Sequence, residues 1–243
     1  MANPTAAMLV IGDEILSGRT RDANMHHLAM ELAKAGIDLR EVRIVADDPD
    51  AIVEAVNDLR ARSDHVFTSG GIGPTHDDIT ADQIARAFGV GIGVRDDARA
   101  ILAERYEKQG SELNESRLRM ARIPEGAALI ENPVSGAPGF SSGNVHVMAG
   151  VPSVFQAMVA SVLPGLTGGT PLVSRALRVE RAEGDVAEPL RALAAEFSDL
   201  SIGSYPFIQM GRYGTNVVFR GTDERRIAAA MDRLAAGFPG STR

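Results

Sequence analysis

The chain is 243 residues long, 44% hydrophobic and 23% charged, with a mean hydropathy of -0.03, which excludes disordered, collagen-like and fibrous classes. Its 25 basic residues against 32 acidic ones leave a net charge of -7, so no global basic field exists to hold duplex nucleic acid. Cysteine is absent, which removes disulfides, thiolate metal sites, iron-sulfur clusters and thiol nucleophiles together, and Lys34 and Lys108 are the only lysines available to any lysine nucleophile.

The apolar run from Ala6 to Ile11 is far too short for a membrane helix, and it lacks the charged start and cleavage site of a signal peptide. With the missing cysteines, it suggests a cytoplasmic protein with no membrane partner. Met8 to Ile11 then reads as a buried strand. Met25, Leu28, Ala29, Leu32 and Ala33 recur as one helix face that Gly36 stops. Ile37 to Val45 is extended, and Asp48 and Pro49 stand as N-cap and first residue of a helix carrying Ile52, Val56 and Leu59. His65 to Thr68 is a buried strand, Gly70 to Gly73 a glycine-rich turn, and Ile79 to Phe88 a helix ended by Gly89. Strands alternating with helices in this way call for a mostly parallel, doubly wound sheet covered on both faces.

Further along, Asp97 to Gln109 is helical, Ala128 to Met148 suggests antiparallel pieces, and Pro152 opens a helix to about Leu163. Pro164 to Pro171, with Gly165, Gly168 and Gly169, has the composition of a linker. Beyond it the pattern predicts a strand (Ala176 to Arg181), a helix (Val186 to Phe197), two strands (Ile202 to Phe207 and Asn216 to Arg220) and a helix from Glu224. The expected organisation is an α/β domain over residues 1–165 followed by a small β-α-β-β-α domain over residues 172–243.

The segment with the most chemical content runs Ser69-Gly70-Gly71-Ile72-Gly73-Pro74-Thr75-His76-Asp77-Asp78-Ile79-Thr80. A glycine turn between a buried strand and a helix lets backbone N–H groups approach phosphate oxygens, and the helix dipole favours the anion. It is neither a Walker A loop nor a dinucleotide fingerprint. Two adjacent carboxylates beside a phosphate would repel it without a cation, and a hard divalent ion is the usual solution. Gly12-Asp13-Glu14 and Asp47-Asp48 also end extended segments, so acidic groups recur where strands stop, although Asp48 alone needs no role beyond its cap. No His-x-x-x-His pair occurs, which leaves zinc-protease chemistry without an anchor. His76 reads as a solvent-exposed loop residue. Arg117, Arg119 and Arg122, taken as one helix, either neutralise a diphosphate or face solvent or a neighbouring subunit.

These segments, with Gly150-Val151-Pro152, resemble the molybdopterin-binding domain of the competence/damage-inducible protein A family, shared with molybdenum-cofactor biosynthesis proteins and the N-terminal part of eukaryotic FAD synthase. The resemblance covers about residues 5–165, and Gly203-Ser204-Tyr205-Pro206 looks similar to the small middle domain that follows in the same family. It implies a three-layer α/β/α fold with a mostly parallel sheet, a small α+β module, a homo-oligomer, and a small nucleotide or pterin ligand. No segment resembles the nicotinamide-mononucleotide amidase domain that many members add. Some members resemble pyrophosphatases acting on ADP-ribose or FAD with a divalent ion such as Mg2+, Mn2+ or Co2+. That similarity implies Asp78 and Asp47 as catalytic residues and Asp78 with Asp47 or Asp13 as metal ligands. Ser69, Gly70, Gly71, Gly73, Pro74, Thr75, Asp13 and Glu14 become the implied ligand-binding set. Two departures stand out: Ala149 and Val154 replace a proline and a glutamate of the usual Leu-Pro-Gly-Val-Pro-Ser-Glu-Met, and the usual Gly-Thr-Ala-Pro-Gly is here Ser135-Gly136-Ala137-Pro138-Gly139. Hydrolysis of a nucleoside diphosphate derivative is the expected activity, and non-catalytic binding of a molybdopterin or nucleotide is the alternative.

Overall fold

In a computed structural model that describes residues 2–209 and 211–243, the chain divides into two compact units between Gly169 and Thr170. The first unit runs β1 (Thr5–Ile11), α1 (Asp13–Leu16), α2 (Asn24–Lys34), β2 (Asp38–Val45), α3 (Pro49–Arg62), β3 (His65–Ser69), α4 (Thr80–Phe88), β4 (Ile92–Val94) and α5 (Asp96–Lys108). It continues through α6 (Glu115–Leu118), β5 (Arg122–Pro124), β6 (Ala128–Ile130), β7 (Gly139–Ser142), β8 (Val145–Met148) and α7 (Pro152–Val162).

Six strands form the main sheet in the order β2-β1-β3-β8-β7-β6. The first four are parallel, whereas β7 and β6 join antiparallel. The Ala128 to Met148 segment is therefore antiparallel only within itself, because β8 returns to pair parallel with β3. β1 explains the layering: Ala7, Leu9 and Ile11 point into a core with α3, α4 and α5, while Ala6, Met8 and Val10 point into a second core with α2 and α7. All six side chains are buried, as expected of a central parallel strand covered on both faces. The helix after β2 starts where Asp48 and Pro49 require: the Asp48 carboxylate accepts from the N–H groups of Asp50 and Ala51 at 3.0 and 2.8 Å. Gly89 ends α4 with φ 66°, a left-handed position that glycine occupies without a Cβ penalty.

Not every element follows the sequence expectation. β4 and β5 pair antiparallel in a separate two-stranded sheet, a contact between segments that carry no strand-length pattern. Arg117, Arg119 and Arg122 do not share one helix, for they fall on α6, on a 3-10 turn (Arg119–Ala121) and on β5.

The second unit comprises β9 (Val173–Val179), α8 (Glu183–Glu196), β10 (Ser201–Gln209), β11 (Arg212–Gly221) and α9 (Glu224–Gly237). Its sheet has the order β10-β11-β9, antiparallel throughout. Leu177, Val179, Val217 and Phe219 pack against Val186 and Leu193 of α8 and Ile227, Met231 and Leu234 of α9. α8 begins three residues before the predicted Val186 and holds Pro189 inside it, where the missing N–H removes one helical bond. Among the described residues, no helix is long and apolar enough to cross a membrane.

Candidate functional site

The parallel strands of the first unit end together, and ligands in such sheets bind beyond their carboxyl ends. A cleft of about 610 Å³ opens there, within the range of small-molecule sites. Its floor is the glycine turn after β3. Gly70 has φ 110°, and a Cβ on it would lie 2.1 Å from the Ile11 carbonyl oxygen, so β1 and the turn approach as only glycine permits. Gly71 has φ 68°, and its Cβ would fall 2.1 Å from the Thr80 hydroxyl.

Thr80, fully buried, is what draws the turn onto the start of α4. Its hydroxyl donates to the Gly70 carbonyl at 3.0 Å and its N–H donates to the Gly71 carbonyl at 2.9 Å. Residues 72–79 form a loop between turn and helix, longer than a strand-turn-helix reading predicts. Asp78 organises that loop: one carboxylate oxygen accepts from the Thr75 N–H at 2.8 Å and from the Thr75 hydroxyl at 2.5 Å. Arg119 donates to the Asp78 carbonyl at 3.2 Å, making it the member of the arginine set tied to this loop. Arg117 instead stacks on Tyr106 at 4.2 Å, and Arg122 pairs with Asp82.

Glu14, Asp47, Gly70, Gly71, Gly73 and Asp78 line the cleft, joined by Asp77. Asp13, Ser69, Pro74 and Thr75 do not. Asp13 acts through its backbone, donating its N–H to the Asp47 carboxylate at 3.0 Å, while Thr75 acts through Asp78 and Ser69 faces a smaller chamber beside the cleft. His76 is exposed, its side chain 99% accessible. Burial pushes the Asp47 carboxyl above its ordinary value despite the Asp13 N–H, and the charges of Asp13, Glu14 and Asp77 push the same way. Among the described residues, no three His, Asp or Glu side chains are grouped to hold a metal ion by themselves. Val154, 7% exposed, lines the cleft at the start of α7 with an apolar side chain.

The sequence reading omitted several residues that shape this place. Arg19 and Thr20 line the cleft from the loop after α1, and Asn132 braces the Ser135 to Ala137 wall by donating to the Ser135 hydroxyl and the Ala137 carbonyl. Asn24, 3% exposed at the start of α2, donates to the Ser69 hydroxyl and to the Gly150 carbonyl, each at 2.8 Å. A polar residue opening an amphipathic helix gave no signal of burial.

Comparison with known proteins agrees with this architecture. Residues 7–168 match the probable molybdopterin binding domain, and residues 171–242 match the FAD synthase middle domain. A CinA-like protein of Citrifermentans bemidjiense is 40% identical over 67% of this chain and 40% of its own length. A probable FAD synthase of Caenorhabditis elegans is 32% identical over 95% of this chain and 49% of its own length. The chain therefore spans less than half of each of these two relatives. A crystal structure of the protein CinA, of unknown function, from Thermoplasma acidophilum superposes with a TM-score of 0.61 at 35% identity, covering 67% of this chain and 97% of that one. The chain accordingly belongs to the family of the probable molybdopterin binding domain, carrying the FAD synthase middle domain behind it.

Proposed function

We propose that the first unit is a metal-dependent pyrophosphohydrolase of a nucleoside diphosphate derivative, ADP-ribose first and FAD second. The observation that carries the reading is Asp47: a carboxylate raised by burial and by neighbouring carboxylates, held in a cleft beside a glycine turn shaped for phosphate. Such a group is disposed toward a positive partner. Its neighbours also fit one, because a hard cation commonly takes one or two protein carboxylates and completes its shell with substrate phosphates and water, without a protein-only cage. Asp47 and Asp78 are the residues that would hold it, with Asp13 contributing through the N–H that orients Asp47. When bound, a divalent ion neutralises the pyrophosphate and lowers the pKa of attacking water.

The chain's own groups do the rest. Backbone N–H groups of the turn beyond Gly70, whose own N–H is held by the Met148 carbonyl, would hold a phosphate, Thr80 fixes the turn's shape, and Asp78 keeps the following loop folded through Thr75. In the reaction, the water oxygen bonds to phosphorus as the bridging P–O bond breaks, giving AMP and ribose 5-phosphate from ADP-ribose. The same reading carries a homo-oligomeric, cytoplasmic protein with a small-molecule partner.

A second reading is supported by Val154. A valine lining the cleft, where the resemblance implies a glutamate, favours a site that holds a pterin or nucleotide without cleaving it. The test is AMP release from ADP-ribose and FAD with Mg2+, Mn2+ or Co2+. Turnover abolished by EDTA and reduced about 100-fold or more by Asp78→Asn supports hydrolysis, a loss typical of a removed metal ligand. No AMP under any of these metals rejects it in favour of the binding reading.

A further inference from the structure

Asn24 stands where three elements of the cleft meet. It opens α2 because the Asp22 carboxylate accepts from the Met25 N–H at 2.9 Å, fixing the first turn and placing the Asn24 side chain inside the protein. Its amide nitrogen spends both protons on separate walls: one on the Ser69 hydroxyl at the end of β3, the other on the Gly150 carbonyl just after β8. Those walls are close, since a Cβ on Gly150 would lie 3.4 Å from the Gly70 Cα. Both border the glycine turn, whose Gly70 N–H donates in turn to the Met148 carbonyl at 3.1 Å.

The remaining Asn24 atom is informative. Its Oδ1 is buried and has no hydrogen-bond partner among the described residues. A buried acceptor left unmade costs free energy, so this amide is a poor device for stability alone. Among small uncharged or acidic residues none matches its two donors: serine and threonine have one, aspartate has none when ionised, and glutamine adds a methylene at a site that is 3% exposed. Asn24 and Ser69 also line a chamber of about 60 Å³ that shares Ile11, Glu14, Thr20 and Gly150 with the main cleft, so any shift of this amide is felt in the cleft wall.

We infer that Asn24 is a positioning residue of the ligand site, setting the separation between the glycine turn and the Gly150 loop so that the turn's N–H groups converge on one phosphate. The inference rests on the cleft being the ligand site proposed above. It acts through Ser69 and Gly150, with no contact to the reacting atoms. Glu14, Arg21 and Asp22 are the charged groups lining the same chamber, and at a position only 3% exposed burial favours the protonated form of an introduced carboxyl, with Glu14 and Asp22 acting the same way and Arg21 against them.

That property supplies a specific test with two variants and two readouts. Asn24→Ala removes both bonds. Amide exchange of Gly70 and Thr80 should then quicken at least tenfold while Val56 and Leu59 of α3 keep their protection. Asn24→Asp keeps the shape, and its carboxyl donates to the Gly150 carbonyl only while protonated. Its ADP-ribose affinity, measured by calorimetry against the unsubstituted protein at each pH, should be at least tenfold weaker at pH 8 and recover to within about threefold at pH 5.5. Unchanged exchange at Gly70 and Thr80, exchange that rises equally throughout α3, or an affinity ratio that ignores pH would each overturn the inference. If the unsubstituted protein binds no ADP-ribose, the proposed substrate fails while the exchange measurement still decides the role of Asn24.

Discussion

The two ends of the main sheet perturb ionisable groups by the same physics and arrive at different results. At the carboxyl end, burial and three neighbouring carboxylates raise Asp47 beside an open cleft. At the amino end, His146 is 5% exposed between β3 and β7 and stacks near Phe67 with ring centroids 5.1 Å apart. Burial first, and the His65 charge second, lower it to about 4. Its Nδ1 lies 2.9 Å from the Ser141 hydroxyl and its Nε2 3.5 Å from His65, which burial also lowers. None of these residues lines the cleft. A shifted pKa therefore marks a site only where an open volume and unspent donors lie beside it; at the amino end it records a histidine kept neutral in the core.

The comparison is broken most forcefully by Gly70→Ala at the carboxyl end. The new methyl meets the Ile11 carbonyl at 2.1 Å with φ 110°, so the first unit should lose about 3 kcal/mol, a fall in Tm of roughly 6–12 °C. Gly18→Ala has φ 74° but nothing within 4 Å of the new methyl, and should cost about 1 kcal/mol from strain alone. Equal melting temperatures for the two variants would contradict the close approach of β1 and the turn.

The amino end is sharpened by pH. Below the unfolded value of 6.5 an unfolded His146 binds a proton that the folded one refuses until about pH 4. Stability is therefore fully present above 6.5 and declines as pH falls toward 4, by about 3 kcal/mol at most. His146→Gln removes the titrating group and should flatten that slope, which denaturant titrations between pH 4 and 7 would read. An unaltered slope would show that other groups carry it.

The smallest effect has the opposite sign. Because the folded Asp47 carboxyl is raised, its ionised form is disfavoured in the folded state at neutral pH, and the penalty vanishes as pH falls through the folded value. Asp47→Asn keeps an acceptor for the Asp13 N–H and should raise the Tm at pH 7 while the proposed AMP release is lost. A lower Tm would mean that Asp47 serves the fold rather than a ligand.

Much of this contrast was legible in the sequence wherever one local rule sufficed. β1 declared itself by an unbroken apolar run, α3 by Asp48 and Pro49, and the turn by three glycines, which the Ile11 carbonyl, Thr80 and Asp78 respectively leave little room to replace. What stayed hidden depends on partners distant in sequence. β4 and β5 are three residues each and exist through pairing across Ile92 to Pro124. Asn24 meets Gly150, 126 positions away, and Arg119 meets Asp78, 41 away, so neither residue type nor spacing announces them. Asp13 adds a role that residue type does not announce: beside its carboxylate, its N–H donates to Asp47.

The central claim is that the carboxyl-end cleft, and not the amino end, holds a nucleotide diphosphate. Calorimetric titration of ADP-ribose with Mg2+ into the unsubstituted protein, Asp78→Asn and His146→Gln tests it most directly. Binding should weaken by about 100-fold or more in Asp78→Asn and stay within about twofold in His146→Gln at pH 7.5. Undiminished binding to Asp78→Asn, or an equal loss in both variants, would contradict it.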